Sequence, residues 1–521
     1  MSFHKLKDES PFGYVGQGGP GIAGGGGGLP DGTAAASRVP VINTSPKYQD
    51  VWAAVVYAVT FAGFVVMAAV SIPSNVRHAS FNTTSDPSPP IDLAAIAIAF
   101  VVLLAISIVF TIFWLWLVNR YTIQMIKAAF WFPVAMMALM ALALFLSHQP
   151  GLGGLAITLV VLDGIMVIWV FFALRGNKIP VTAAILKSST RIVKQFPSVV
   201  AVSIVGTAVA LAFGVVWVLT MAGFVTMIED NAALSASARN TYFSLLVLLL
   251  VFIYYWTSQV INNVVHVTCA GLFATVYFMG VAAPGVSNIV LAVPNPTWKA
   301  AKRAMTTSFG SICFGSLLIA LMQLLRYMIN NAKDAVSRSD AGVGAWFILC
   351  CLDCILKVME DLMNYFNRYA FTEIAIYGKS YLEAGKSTWQ LFKQRGLEVL
   401  INDCLVDMTM SMGGFFMALL GGAAGYIIGK VSPSLANTPA AVGLCVALGV
   451  VTCIYSYNSV TMVLSSGSSA TLVCIAEDPQ TLEAMQPELF ATLKQVWPDM
   501  DWRVDPTPPP MSMPGTVVMY V

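Results

Sequence analysis

The stretch LAAIAIAFVVLLAISIVFTIFWLWLV, residues 93–118, holds no charged residue, no proline and no glycine. As an α-helix it would extend roughly 39 Å, at 1.5 Å per residue. A hydrocarbon core of about 30 Å is shorter than that. In lipid a backbone N–H or C=O finds no water, so a crossing segment must satisfy its own polar groups, and a single segment does so only as a helix. Nine further apolar stretches read the same way: 51–72, 128–148, 152–174, 198–222, 241–262, 305–325, 345–370, 408–429 and 438–465. The block 263–280 is apolar too, and either extends the span before it or folds back along the interface. The expected fold is an all-α, polytopic transmembrane helical bundle of about ten spans.

Composition agrees. Of 521 residues, 57% are hydrophobic and 10% charged, where a soluble protein carries about 25% charged residues. The net charge of +2 is spread thinly rather than pooled in a basic stripe, so no nucleic-acid partner is implied. The nine cysteines lie in or beside apolar blocks, which argues against a disulfide framework. Cys350, Cys351 and Cys354 lack a second pair and a nearby histidine, so no metal and no cofactor is expected. Residues 1–46, with the run Gly24 to Gly28, cannot bury a core and read as a disordered tail. Residues 47–470 read as the transmembrane domain and 471–521 as a C-terminal tail.

Basic residues set orientation. With the N-terminus inside, only Arg77, Arg239, Arg326, Lys333, Arg338 and Lys430 fall in outer loops, and Lys357 lies within a span. Every other Lys and Arg is inner, so both termini are expected in the cytosol. The inner segments 179–197 and 372–400 mix apolar and basic residues at helical spacing, the pattern of amphipathic helices in the headgroup layer. Asn82-Thr83-Thr84 is a glycosylation sequon in the first outer loop.

Eight of the ten spans hold no Asp, Glu, Lys or Arg. An ionisable group inside the bilayer costs several kcal/mol unless paired or hydrated, so the exceptions mark candidate sites. Asp163 sits midway along 152–174. The stretch 345–370 carries Asp353, Lys357, Glu360, Asp361, Asn364, Asn367 and Arg368. Asp353, Lys357 and Asp361 recur at i, i+4 and i+8, which stacks them on one face with an excess of acid. A passing cation would ease the ionisation of those acids; a salt-bridged knot between helices is the structural alternative. Along 241–266, Tyr255, Trp256, Gln259, Asn262, Asn263 and His266 form a stripe of aromatic faces and amides. Aromatic faces attract quaternary ammonium groups, while the same residues also serve as an interfacial belt and as hydrogen-bonded packing. Gly421, Gly425 and Gly429 form a small-residue ladder that packs helices within the chain or joins a homodimer. Asn402, Asp403 and Asp407 precede it.

Five stretches carry a resemblance to a known family: KYQDVWAA (47–54), NVVHVTCAGLFATVYF (263–278), AKRAMTTSFGSICFGSLLIALMQLLR (301–326), NRYAFTEIAIYGKSYLEAGKSTWQLF (367–392) and CIAEDPQTLEAMQPELF (474–490). The chain resembles the choline transporter-like proteins, most closely their pH-nine-sensitive branch. That resemblance implies ten spans with cytosolic ends and transport of choline or a related amine without ATP hydrolysis by the carrier. The outer loop 73–92 is short, a departure from the long glycosylated loop of the best-described choline-carrying members. The expected function is transmembrane transport of a small organic cation, at the plasma membrane, with Tyr255, Trp256, Gln259, Asn263, Asp353, Glu360, Asp361, Asn364 and Asp163 as the substrate-binding set. A passive channel or a lipid-organising scaffold is the alternative. No Walker A, no HExxH and no intramembrane Ser/His pair stands in the sequence, so an enzyme is not expected.

Overall fold

A computed structural model describes residues 46–82, 93–147, 152–175, 178–229, 236–282, 289–291, 293–338, 342–395, 398–436 and 438–496. The tail 1–45, the loop after Asn82 and residues 497–521 lie outside the described residues.

The first half of the chain folds as α1 (Val51–Asn82), α2 (Leu93–Arg120), α3 (Thr122–Leu146), α4 (Leu152–Arg175), α5 (Lys178–Gln195), α6 (Ser198–Glu229) and α7 (Ala236–Met279). A short antiparallel pair, β1 (Gly280–Ala282) and β2 (Ile289–Leu291), follows. The second half is α8 (Pro296–Met305), α9 (Phe309–Ser337), α10 (Gly342–Tyr377), α11 (Tyr381–Arg395), α12 (Glu398–Val431), α13 (Pro439–Glu477), α14 (Pro479–Met485) and α15 (Pro487–Val496). Among the described residues nine helices are long and apolar enough to cross a membrane: α1, α2, α3, α4, α6, α7, α9, α12 and α13. The charges of α10 set it apart, although its 36 residues are ample in length and it packs in the bundle against α7, α9 and α13. The chain is an all-α polytopic bundle.

The block 263–280 continues α7, whose 44 residues run without a break. At α9 the helix outlasts its apolar signal and reaches Ser337, so Arg326 and Lys333 are helical rather than loop residues. The bundle is apolar outside: Val59, Val66, Ile98, Ile112 and Phe172 all stand exposed, a surface that water would aggregate and lipid covers. Polar side chains gather inside, among them His266, Glu360, Asn367 and Glu373.

Two features shape the end of the bundle at which α1 begins. The Asp50 carboxylate accepts from Ser311 Oγ (2.7 Å) and from the Tyr381 backbone N–H (2.8 Å), tying α1 to the starts of α9 and α11. The chain leaves α10 at Gly378, whose φ of +66° glycine adopts without strain. The helix α5 buries Val181, Ile185, Leu186 and Ile192 in protein, packed on α12, α13 and α15. The amphipathic stretch 179–197 is thus a helix whose apolar face packs on the bundle, with Lys187 and Arg191 on its exposed side. α13 passes position 470 unbroken, and Leu489, Phe490 and Leu493 of α15 close over α5.

The glycine ladder packs within the chain. A Cβ at Gly421 would strike the Gly449 carbonyl, and one at Gly425 the Cys445 carbonyl, so α12 and α13 touch backbone to backbone. Gly425→Leu has no room and is expected to abolish recovery of monodisperse protein. Gly443→Leu on the open side of α13, where a Cβ meets nothing, is expected to leave yield and thermal stability near wild type; size-exclusion profiles of the two variants make the check.

Candidate functional site

A cavity of about 390 Å³ opens between α7, α9, α10 and α13. Helical spacing builds it: Asn263 and His266 are i, i+3 on α7, and Asn364, Asn367 and Arg368 are i, i+3, i+4 on α10. Ser465 and Ser466 of α13 close it opposite, with Ile319 and Met462 as apolar patches.

Its polar lining is tied to the bundle. His266, 5% exposed, sits between the Ser466 hydroxyl (Nδ1, 2.7 Å) and the Arg368 carbonyl (Nε2, 3.0 Å). A carbonyl only accepts, so Nε2 carries the proton, and a neutral ring then accepts from Ser466 at Nδ1. Asn263 Nδ2 donates to Ser316 Oγ at 2.9 Å. Asn367 accepts from the Tyr381 hydroxyl. Arg368 Nη1 meets Asp407 Oδ2 at 2.6 Å, and Ser465 Oγ donates to Asp407 Oδ1 at 2.7 Å. An ion pair between α10 and α12 thus borders the cavity.

The acidic face of α10 is not in surplus. Asp353 pairs with Arg326 (3.2 Å) and Lys333 (2.7 Å) of α9. Glu360, 6% exposed, accepts from Arg326 Nη1 (2.5 Å) and Gln323 Nε2 (3.2 Å). The excess of negative charge expected from the sequence is neutralised by two bases expected in a loop. Nor do Asp353, Lys357 and Asp361 act as one ladder: Lys357 and Asp361 pair with each other at 2.6 Å, and both are half exposed. Glu360 stands one turn before the cavity-lining Asn364 on α10.

The remaining candidates divide. Gln259 is half buried one turn before Asn263. Tyr255 lies within electrostatic reach of Glu360, Arg326 and Tyr327. Trp256, one residue on, points elsewhere: it is buried, donates Nε1 to the Cys313 carbonyl at 3.1 Å, and meets Tyr57 edge-on at 5.3 Å. Asp163 is on α4, which packs against α3, and its Oδ1 is buried without a hydrogen bond; it does not line the cavity. The cavity is also lined by His266, Asn367, Arg368, Ser465 and Ser466, which the expected set left out. The Ser466–His266 contact is also an intramembrane Ser/His pair that sequence did not reveal. Ser466 lies inside a continuous helix, where backbone N–H groups are engaged in i→i−4 bonds, so no backbone oxyanion hole faces it.

Burial pushes the Tyr381 phenol up to about 12, so it remains a donor to Asn367 at any physiological pH. Tyr381→Phe leaves the Asn367 carbonyl short of a partner. A loss of about 1–3 kcal/mol is expected, read as a lower midpoint of thermal unfolding in detergent, with little pH dependence between 6 and 8.

Comparisons with known proteins agree with this architecture. The family model described as plasma-membrane choline transporter matches residues 157–480. Protein PNS1 of Mycosarcoma maydis is 30% identical over 475 residues, covering 88% of this chain and 85% of its own length. Protein PNS1 of Gibberella zeae is 29% identical over 464 residues, 87% and 83% of the two chains. A CTL-like protein of Dictyostelium discoideum is 30% identical over 459 residues, 85% and 74% of the two chains. The match spans more than half of the sequence and includes every wall of the cavity: this multi-pass membrane protein belongs to the choline transporter-like family.

Proposed function

We propose that the chain carries a small organic cation, choline or a related amine, across the plasma membrane through the cavity between α7, α9, α10 and α13. One observation supports this above the others: a space of about 390 Å³ lined by amides, hydroxyls, an imidazole and the Arg368 side chain, whose charge Asp407 balances, among helices whose outward faces are apolar. Small-molecule sites begin near 300 Å³, and polar groups gathered inside a membrane protein commonly line solute or ion pathways.

The chemistry suits a cation. The carbonyl oxygens of Asn263, Asn364 and Asn367 and the serine oxygens offer ion–dipole contacts. Tyr255 and Gln259 continue that surface outward along α7, with Glu360 across from them. Carboxylates stand at both ends, Glu360 held by Arg326 and Asp407 held by Arg368. A cation that enters competes with an arginine for a carboxylate, which links occupancy to loosening of a helix–helix tie. Asp353, Asp361, Trp256 and Asp163 serve as framework. No ATP hydrolysis is required, and both chain ends face the cytosol under the positive-inside rule.

Uptake of labelled choline by proteoliposomes tests the reading. The wild type is expected to give saturable uptake. Asn364→Leu removes a cation–dipole contact and is expected to cut it by roughly tenfold or more, whereas Leu362→Ala, on the lipid-facing side, leaves it unchanged. Correctly assembled wild-type protein that moves no choline or other amine would shift weight to a lipid-organising scaffold.

A further inference from the structure

The helices α8 and α11 both pack on α9 and α10, α8 just before α9 in the chain and α11 just after α10. Arg303 of α8 reaches across to the last turn of α10, donating to the Ala375 carbonyl at 2.7 Å. Each helix buries small side chains, Ala300, Ala301 and Ala304 in α8 and Ala384 and Thr388 in α11. Each turns a tryptophan outward among lysines. Trp298 is 66% exposed beside exposed Lys299 and Lys302, and Trp389 is 57% exposed between exposed Lys386 and Lys393. Lys393 Nζ lies 5.6 Å over the Trp389 ring. Leu382, 61% exposed, extends the apolar part of the α11 face.

Four lysines stand here against one exposed acid, Glu383, and among the described residues none of the four lysines has an ion-pair partner. Water would leave two indoles and a leucine uncovered, and the hydrocarbon core would strand four ammonium groups. The headgroup layer of an anionic leaflet accommodates both, the indoles at the acyl boundary and the ammonium groups on phosphate and carboxylate. The α5 stripe of Lys187, Arg191 and Lys194 is basic, but among the described residues α5 itself exposes no large apolar side chain, so it lacks half of the pattern.

We propose that α8 and α11 together form a docking surface for anionic phospholipid headgroups of the inner leaflet. The surface rests on the inner orientation of these helices and not on the identity of the cargo. Spin-labelled phosphatidylserine and phosphatidylcholine, each added to symmetric phosphatidylcholine bilayers holding the full chain, report which lipid is immobilised at the protein. The wild type is expected to favour phosphatidylserine several-fold, less so at high salt. The variant with Lys299, Lys302, Lys386 and Lys393 each changed to Gln loses that preference by roughly fivefold or more, while changing Lys187, Arg191 and Lys194 to Gln retains it. Equal preference in the wild type and the four-lysine variant, or none in the wild type, overturns the proposal.

Discussion

A polar side chain surrounded by lipid must find its partner in the protein, and that constraint orders the whole bundle. Outward faces carry valine, isoleucine, leucine and phenylalanine, while the polar groups of α7, α9, α10 and α13 turn toward one another. Glu360 meets Arg326 and Gln323, and Asn263 meets Ser316. His266 meets Ser466, and Arg368 meets Asp407. Each pairing stabilises the bundle less by its own attraction than by sparing a lone charge or dipole the cost of low dielectric. A bundle built this way leaves little polar room unfilled, and the room it does leave stands out.

α10 lies at the centre of that arrangement. Through Asp353 and Glu360 it is tied to α9, and through Arg368 to α12, with the cavity-lining Asn364 and Asn367 between the two ties. Removing one member of a buried ion pair costs about 3–5 kcal/mol. A ligand that substitutes for Arg326 at the buried Glu360 must supply interaction of that order, as a cation can, while the partly exposed Arg368–Asp407 pair holds less. Tight α12–α13 contact through glycine backbones makes α13 a fixed wall beside α10.

The sequence was most legible where the signal was local. Uninterrupted apolar runs marked the spans, and their composition alone required helices. Asn263 and Asn364 were found because an amide inside an apolar run is conspicuous. The pairing of α10 was not legible, since the apolar run of α9 ends near residue 325 although its helix continues to Ser337. Arg326 and Lys333 therefore looked like loop residues and the acids of α10 looked unpaired. Ser465 and Ser466 were hidden for a different reason: serines in a small-residue segment carry no periodic signal, and Ser466 meets its partner His266 across 200 positions of chain. Tyr255 and Trp256 were read as one stripe, but neighbours on a helix point about 100° apart, and Trp256 went to the core between α1, α7 and α9.

Water and solute must be able to enter the space between α7, α9, α10 and α13 if it is a path and not a sealed fault. Met462→Cys places a thiol on its apolar wall, to be followed with a hydrophilic thiol reagent against the parent chain. The account predicts modification at that position, slowed in a concentration-dependent way by choline or a related amine. A thiol that never reacts, or one whose reaction no organic cation slows, would contradict it.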